Sequence, residues 1–363
     1  MKWLLHFLEK NREKVEEGKP LAIWKPLYEA IENFIFATAR PTTVAPHVRD
    51  PIDLKRYMMV VVIALLPATL AGWYFNGLRV LALIVLSYVV GGIIEVLFAM
   101  VRKEEIAEGF LVTGLIFPLT LPPNIPFWIA AVGVAFGTIF AKELFGGTGR
   151  NLFNPALAGR AFLAIGYAKP MADAANFTVP VAAFPGNLFR WIDGSTTDAL
   201  ASATPMMGAK SGNFEPISNL LFGLHPGSIG ETMSILIIAG GIFLLLTKVA
   251  AWRTVFGILA SVGIFQAILH ATGVSAGTAE WHLLAGGLLF GAFFMATDPV
   301  SSPVTNGGKW IYGILIGLVT VLIRDFSGYV EGVMFAVLFG NLVAPFIDDI
   351  ALSMKMRRLG REA

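Results

Sequence analysis

Ten apolar runs fill most of this chain, at roughly 56–75, 78–101, 107–122, 126–144, 151–168, 231–249, 253–272, 281–298, 309–324 and 328–348. A run of about 20 apolar residues is long enough to cross a bilayer as a helix. Lipid offers backbone N–H and C=O groups no partners, so each crossing must close its own hydrogen bonds. The fold class that follows is an all-α integral membrane protein with about ten transmembrane helices. Composition is consistent with that reading, since 14% of the residues are charged against about 25% in soluble domains. The fifth run contains Asn154, Pro155 and Arg160 and reads as a broken or half helix.

Lys and Arg set the orientation, because they collect on the cytoplasmic side. With the N-terminus inside, 21 of the 27 basic residues fall on the inner face and five on the outer, with Arg160 inside a span. The chain then divides into an N-terminal amphipathic cytoplasmic segment (1–55), a first five-helix unit (56–168), an outer loop (169–230), a second five-helix unit (231–348) and a basic cytoplasmic tail (349–363). The charged start is unlike a secretory signal peptide.

The two units repeat. Gly114–Pro126 and Gly291–Pro303 align at an offset of 177, matching Gly114 with Gly291, Phe117 with Phe294, Thr120 with Thr297, Pro122 with Pro299 and Pro126 with Pro303. Gly133 and Gly137 match Gly313 and Gly317 three residues further on. Five spans per unit is an odd number, so the second unit enters the membrane upside down, as an inverted repeat with broken helices. Such breaks point to ion or ligand sites.

The residue inventory removes several chemistries. Without cysteine the chain has no disulfide, thiolate zinc site or iron–sulfur cluster of its own. Its five histidines show no ligand spacing, so no metal site is expected, and the net charge of +2 does not suggest nucleic acid. Five acidic residues lie in or at the ends of spans, where a lone charge costs about 2.5–3.5 kcal/mol at the bilayer centre. Glu95, Glu108, Asp298, Glu331 and Asp348 are therefore candidates for a cation path, with helix-end carboxylates and structural ion pairs as the plainer alternative. Asp298 stands out because it sits at the repeat-related break. The stretch "FGGTGRNLFNPALAGRAF" (Phe145–Phe162) leads a glycine-rich loop into a helix start bearing Asn151 and Asn154. It suits either an anion or ligand contact or a tight turn capped by Asn. In "TDALASATPMM" (Thr197–Met207), Thr204 has no base nearby in sequence and reads as an acceptor for another enzyme rather than a nucleophile.

Seven blocks in order resemble one family. They are "KPLYEAIENF", "HVRDPIDLKR", "EGFLVTGLIFPLTLPP", "FGGTGRNLFNPALAGRAF", "DALASAT", "FMATDPVSSPVTNGGKWIYGILIGL" and "EGVMFAVLFGNLVAPFID". The chain is similar to the family that holds the B subunit of the Na⁺-translocating NADH:quinone oxidoreductase and the D subunit of the Rnf complex. The first two blocks favour the quinone reductase branch.

The resemblance implies FMN joined through its phosphate to a threonine of a D-G-x-S/T-G-A-T motif. Asp198, Ala203 and Thr204 match that motif, while Ala199, Ala201 and Ser202 depart from it. It also implies a noncovalent riboflavin near Asn151 and Asn154, and an N-terminal extension facing quinone. The implied partners are the other members of a six-subunit complex, quinone, Na⁺, the lipid bilayer and a flavin transferase acting on the outer (periplasmic) face of a bacterial inner membrane. Phe184, Phe189, Trp191, Met206 and Met207 in the loop around Thr204 read either as a shield for the flavin ring or as an ordinary apolar loop packed on the membrane surface. Two other functions remain open at this point: an Rnf-type ferredoxin:NAD oxidoreductase subunit, and a flavin-free secondary transporter or channel.

Overall fold

A computed structural model of the chain describes residues 54–104, 109–178, 180, 184–192, 204–329 and 331–362. The amphipathic N-terminal segment, Glu108 and the motif residues Asp198, Ser202 and Ala203 lie outside the described residues.

The described elements are helical, with no strand among them. In the first half they are α1 (Leu54–Asn76), α2 (Leu78–Arg102), α3 (Phe110–Leu119), α4 (Phe127–Ala141) and α5 (Pro155–Gly166). The short helix α6 (Pro205–Lys210) lies in the central loop. The second half holds α7 (Ser234–Leu246), α8 (Trp252–Ala271), α9 (Ala279–Leu284), α10 (Asn306–Phe326) and α11 (Val333–Glu362). Six helices, at Arg56–Asn76, Leu78–Arg102, Phe127–Phe145, Trp252–Ala271, Asn306–Phe326 and Val333–Arg357, are long and apolar enough to cross a membrane. The chain is thus a multi-pass helical membrane protein. The expected basic tail, 349–363, continues α11 as helix as far as Glu362.

The remaining four expected spans contain shorter helices, and local chemistry explains two of the interruptions. After Leu119 both the N–H and the Oγ1 of Thr120 fold back onto Phe117 O, at 3.0 and 2.7 Å. Pro122 and Pro123 follow and supply no N–H to continue the helix. In the eighth segment α9 ends at Leu284, and Gly286 adopts a left-handed φ of 68° that favours glycine. The helix resumes at Leu288–Phe290 and widens into a π-helical turn over Gly291–Met295, closed by Ala296 N–H donating to Gly291 O at 2.8 Å. Such turns recur at functional sites.

Packing follows the same scheme in each half. Helix α2 packs on α3 and α4, and α4 packs on α5; α8 likewise packs on α9 and α10, and α10 on α11. Helix α1 against α7 joins the halves. The matched glycines lie at close helix crossings but against different partners. A Cβ on Gly137 would come 2.3 Å from Pro155 O of α5, whereas one on its match Gly317 would come 2.8 Å from Ile258 O of α8. Val85, Val89, Ile93 and Leu97 form an exposed stripe four residues apart on α2, opposite the buried Leu83, Ser87, Gly91, Glu95 and Ala99. That is the lipid face of a helix buried on its other side.

Candidate functional site: two pockets joined by one helix

The first pocket gathers the start of α1, the loop before α5 and the Thr297–Val300 turn. It encloses about 710 Å³ with its open mouth included, and Asn151, Asn154, Thr148, Lys142, Phe294 and Asp298 are on its wall. Asn154 caps α5: its Oδ1 accepts from Ala156 N–H at 3.1 Å and Leu157 N–H at 3.4 Å. Pro155 at the first helical position reinforces that start. The Asn154 N–H donates to Asn341 Oδ1 at 3.3 Å. Asn341 Nδ2 in turn donates to Ser301 O at 3.1 Å and Tyr312 OH at 2.8 Å, so this network ties the two halves together.

The capping expected of the Asn pair is therefore present, on the wall of a pocket that is open at its mouth. Asn151 donates through Nδ2 to Phe153 O at 3.1 Å and meets the Asp298 carboxylate. Asp298 also accepts from Val300 N–H at 3.1 Å and Ser301 Oγ–H at 2.9 Å. Thr148 Oγ1 is buried and unpaired on the same wall. An orphaned hydroxyl of this kind suits a polar ligand.

The second pocket lies where Pro122, Ala168, Phe177, Ser228 and Tyr329 converge, and encloses about 840 Å³ with its mouth. Thr204, Met207, Arg160 and Glu331 are on its wall. Thr204 caps α6, its Oγ1 accepting from Met207 N–H at 3.3 Å. Lys210 at the end of α6 donates to Ser327 O at 2.7 Å and Tyr329 O at 2.8 Å, pinning that helix to the turn that forms the opposite wall. Burial pulls the Lys210 ammonium below its ordinary pKa.

Beneath Thr204, Arg160 of α5 forms an ion pair with Glu331 and lies 3.7 Å from Glu231 Oε1. Glu331 Oε1 also accepts from Gly287 N–H at 3.1 Å. Arg324 holds the adjoining break, donating to His282 O at 2.6 Å and Ala285 O at 2.9 Å. Sequence reasoning noticed Arg160 only as a charge inside a span and missed Glu231. The signal was present, because a charge within a span calls for a counter-charge on a neighbouring element.

The acidic candidates do not converge. Glu95 forms a buried ion pair with Lys142, next to the pair of Arg102 Nη1 with Glu143 Oε2 at 2.8 Å. Asp348 accepts from Val304 N–H, Thr305 N–H and Thr305 Oγ1–H at 2.7, 3.0 and 2.5 Å, anchoring the start of α10. Asp298 and Glu331 lie in different pockets. Among the described residues, no three His, Asp or Glu side chains are grouped so as to hold a metal ion.

The expected aromatic shield is also dispersed. Phe184, Phe189 and Trp191 are exposed on a strip clipped to the end of α1 by Trp73 Nε1–H to Leu188 O at 3.0 Å and Leu78 N–H to Arg190 O at 3.0 Å. Met206 is buried beside Leu220 and Trp281, which leaves Met207 as the member of that set on the Thr204 pocket wall.

Helix α5 links the pockets, carrying Asn154 and Pro155 on one wall and Arg160 and Ala164 on the other. The rise from Asn154 to Arg160 is about 9 Å, at 1.5 Å per residue. These features define a multi-pass membrane protein with interrupted helices and two pockets with polar walls joined by one short helix. The chain belongs to the NQR2, RnfD, RnfE family, whose model matches residues 41–357. It is 39% identical to the B subunit of the Na(+)-translocating NADH-quinone reductase of Azotobacter vinelandii, over 97% of each chain. The proteins of the same name from Ectopseudomonas mendocina and Klebsiella pneumoniae are 37% and 36% identical, over 97% and 98% of each chain.

Proposed function

We propose that the chain is the membrane subunit of a Na⁺-translocating NADH:quinone oxidoreductase that carries FMN as a phosphoester on Thr204 and a noncovalent riboflavin at Asn151 and Asn154. It works in the inner membrane with the other subunits of that complex. Two inverted five-helix units make ten crossings, both termini face the cytoplasm and the Thr204 loop faces outward, where a flavin transferase reaches it. Full-length similarity to proteins named as the B subunit of that reductase favours this branch of the family over the Rnf branch.

The observation that carries the reading is the position of Thr204. Its hydroxyl caps a short helix on the wall of an open pocket that also holds a buried ion pair. Among the described residues Thr204 bonds to a backbone N–H and has no side-chain base as a hydrogen-bond partner, which suits an attachment point better than a nucleophile. When bound, the flavins supply the electron-carrying chemistry. The chain's own residues position and exclude: Asn151, Asn154 and Thr148 offer hydrogen bonds at one pocket, and Met207 and Phe335 close apolar wall at the other.

Moving one Na⁺ against about 150 mV costs about 3.5 kcal/mol, at about 2.3 kcal/mol per 100 mV. Asp298, Glu331, Glu95, Asp348 and Glu108 remain the carboxylates proposed for that path, as separate stations rather than one site. The test is in-gel fluorescence of the denatured chain made together with its transferase. A fluorescent band that Thr204→Val abolishes is expected. A dark wild-type band overturns the covalent-flavin reading.

A further inference from the structure

Arg160 is the charge in this molecule whose placement the fold explains least. Its side chain is 11% exposed, and its guanidinium sits between the carboxylates of Glu331 and Glu231. Those two carboxyl groups also meet each other by a hydrogen bond. A buried ion pair contributes little net stability compared with apolar side chains of similar volume. As a brace alone, this cluster would be no better than a leucine contact. Its location supplies another use, because Arg160, Glu331 and Thr204 share one pocket wall.

We propose that Arg160 is the positioning residue that sets the reduction potential of the flavin on Thr204, its guanidinium offsetting the charge of an added electron while Glu331 limits how much of that positive charge the pocket receives. The proposal rests on the flavin reading above and deepens it. A charge that little water screens acts strongly on its neighbours, and the Arg160 side chain is 11% exposed. The ion pair with Glu331 holds the guanidinium in place. One electron arrives from NADH through the other subunits; no bond in this chain forms or breaks, and no proton has to be taken up.

The sign of the effect separates this role from a structural one. Removing the positive charge makes the electron harder to add, and removing its carboxylate partner makes it easier. The experiment is a potentiometric titration of the purified complex with dithionite as reductant and soluble mediators, following the absorbance of the covalent flavin. Occupancy is checked by in-gel fluorescence. Arg160→Gln is expected to lower the one-electron equilibrium constant at least tenfold, which is about 59 mV towards negative potential. Arg160→Lys is expected to lose less, and Glu331→Gln to shift the potential in the positive direction.

Unchanged potentials in fluorescent Arg160→Gln and Glu331→Gln chains overturn the proposal, and so do shifts of the same sign in both. If Arg160→Gln fails to accumulate, Glu331→Gln decides alone: a positive shift supports the role, and none or a negative one removes it. A dark wild-type band is the separate failure of the flavin reading, which takes this inference with it.

Discussion

The two pockets differ in the groups that would hold a ligand. The one at Thr204 is walled by full charges, Arg160 with Glu331, and its anchor is a single hydroxyl on a six-residue helix. The one at Asn151 adds amides and hydroxyls to two charges of its own: Lys142, paired with Glu95, and Asp298, satisfied by its own turn and by Asn151. A covalent bond holds a ligand however weak the surrounding contacts are, which frees the neighbouring side chains to shape the field. A ligand held without a bond depends on the contacts themselves, and there the amides and hydroxyls stand beside the paired charges of Lys142 and Asp298. The largest expected effect follows from this difference. Thr204→Val is expected to remove all covalent flavin and leave the extractable flavin in place, measured as fluorescence in the gel and as flavin released from the same preparation.

A buried carboxylate near the Asn151 pocket offers a second way to break the comparison. Lys142 is on that pocket's wall, and its ammonium is paired with Glu95. Both side chains are under 10% exposed. Glu95→Gln would strand Lys142, and losing one partner of a buried pair costs about 3–5 kcal/mol. A large drop in the thermal midpoint of the solubilised chain is expected, with most of it restored in the double variant Glu95→Gln, Lys142→Met. Wild-type stability in the single variant would free Glu95 from its structural role and return it to the ion path.

Gly137 tests whether the pockets are mechanically joined. A Cβ there would come 2.3 Å from Pro155 O and 3.0 Å from Gly159 N, both backbone atoms of α5. Gly137→Ala must therefore push α5 away from α4, at about 1–3 kcal/mol for an overpacked contact. Because α5 carries both Asn154 and Arg160, this variant is expected to lower the content of both flavins, unlike any change confined to one pocket wall. Loss of one flavin alone would show that α5 does not couple the sites.

Hydrophobic runs made most of the fold legible. The six long helices overlap six of the expected spans, the last running on past 348 to Arg357, and the half helix at Asn154-Pro155 was visible because proline after a capping residue marks a helix start. The lengths of the interrupted helices were not visible. The π turn at Gly291–Met295 and the break at Gly286 depend on backbone angles that an apolar string does not encode. At the sites, the Asn pair was found because a cap and a ligand contact use the same residues. The partnership of Arg160 with Glu231 and Glu331 joins three segments far apart in sequence, and only the packing of α5 against the second half brings them together. The aromatic shield failed as an expectation because composition does not say that Trp73 and Leu78 clip that strip to α1.

The smallest effect is the most specific to the Asn151 pocket. Asn151 Nδ2 makes one backbone hydrogen bond within the chain, to Phe153 O, and its side chain also meets Asp298. Asn154 is different, because its Oδ1 is committed to two backbone N–H groups of α5. Replacing Asn154 with Ser keeps a good cap and removes the amide, so the fold should hold while the ligand contact weakens. Asn151→Leu removes polar capacity from the wall and leaves α5 capped. One hydrogen bond to a neutral partner contributes about 0.5–1.5 kcal/mol, which bounds the expected weakening at about tenfold for each variant. The measurement is riboflavin binding to the purified complex after its extractable flavin has been stripped, with in-gel fluorescence as the internal control. Covalent fluorescence should stay at the wild-type level in both variants. If Asn154→Ser weakens binding and Asn151→Leu does not, the ligand contact belongs to the helix start alone. If neither does, the two amides are caps and turn formers, and only the Thr204 pocket remains a flavin site.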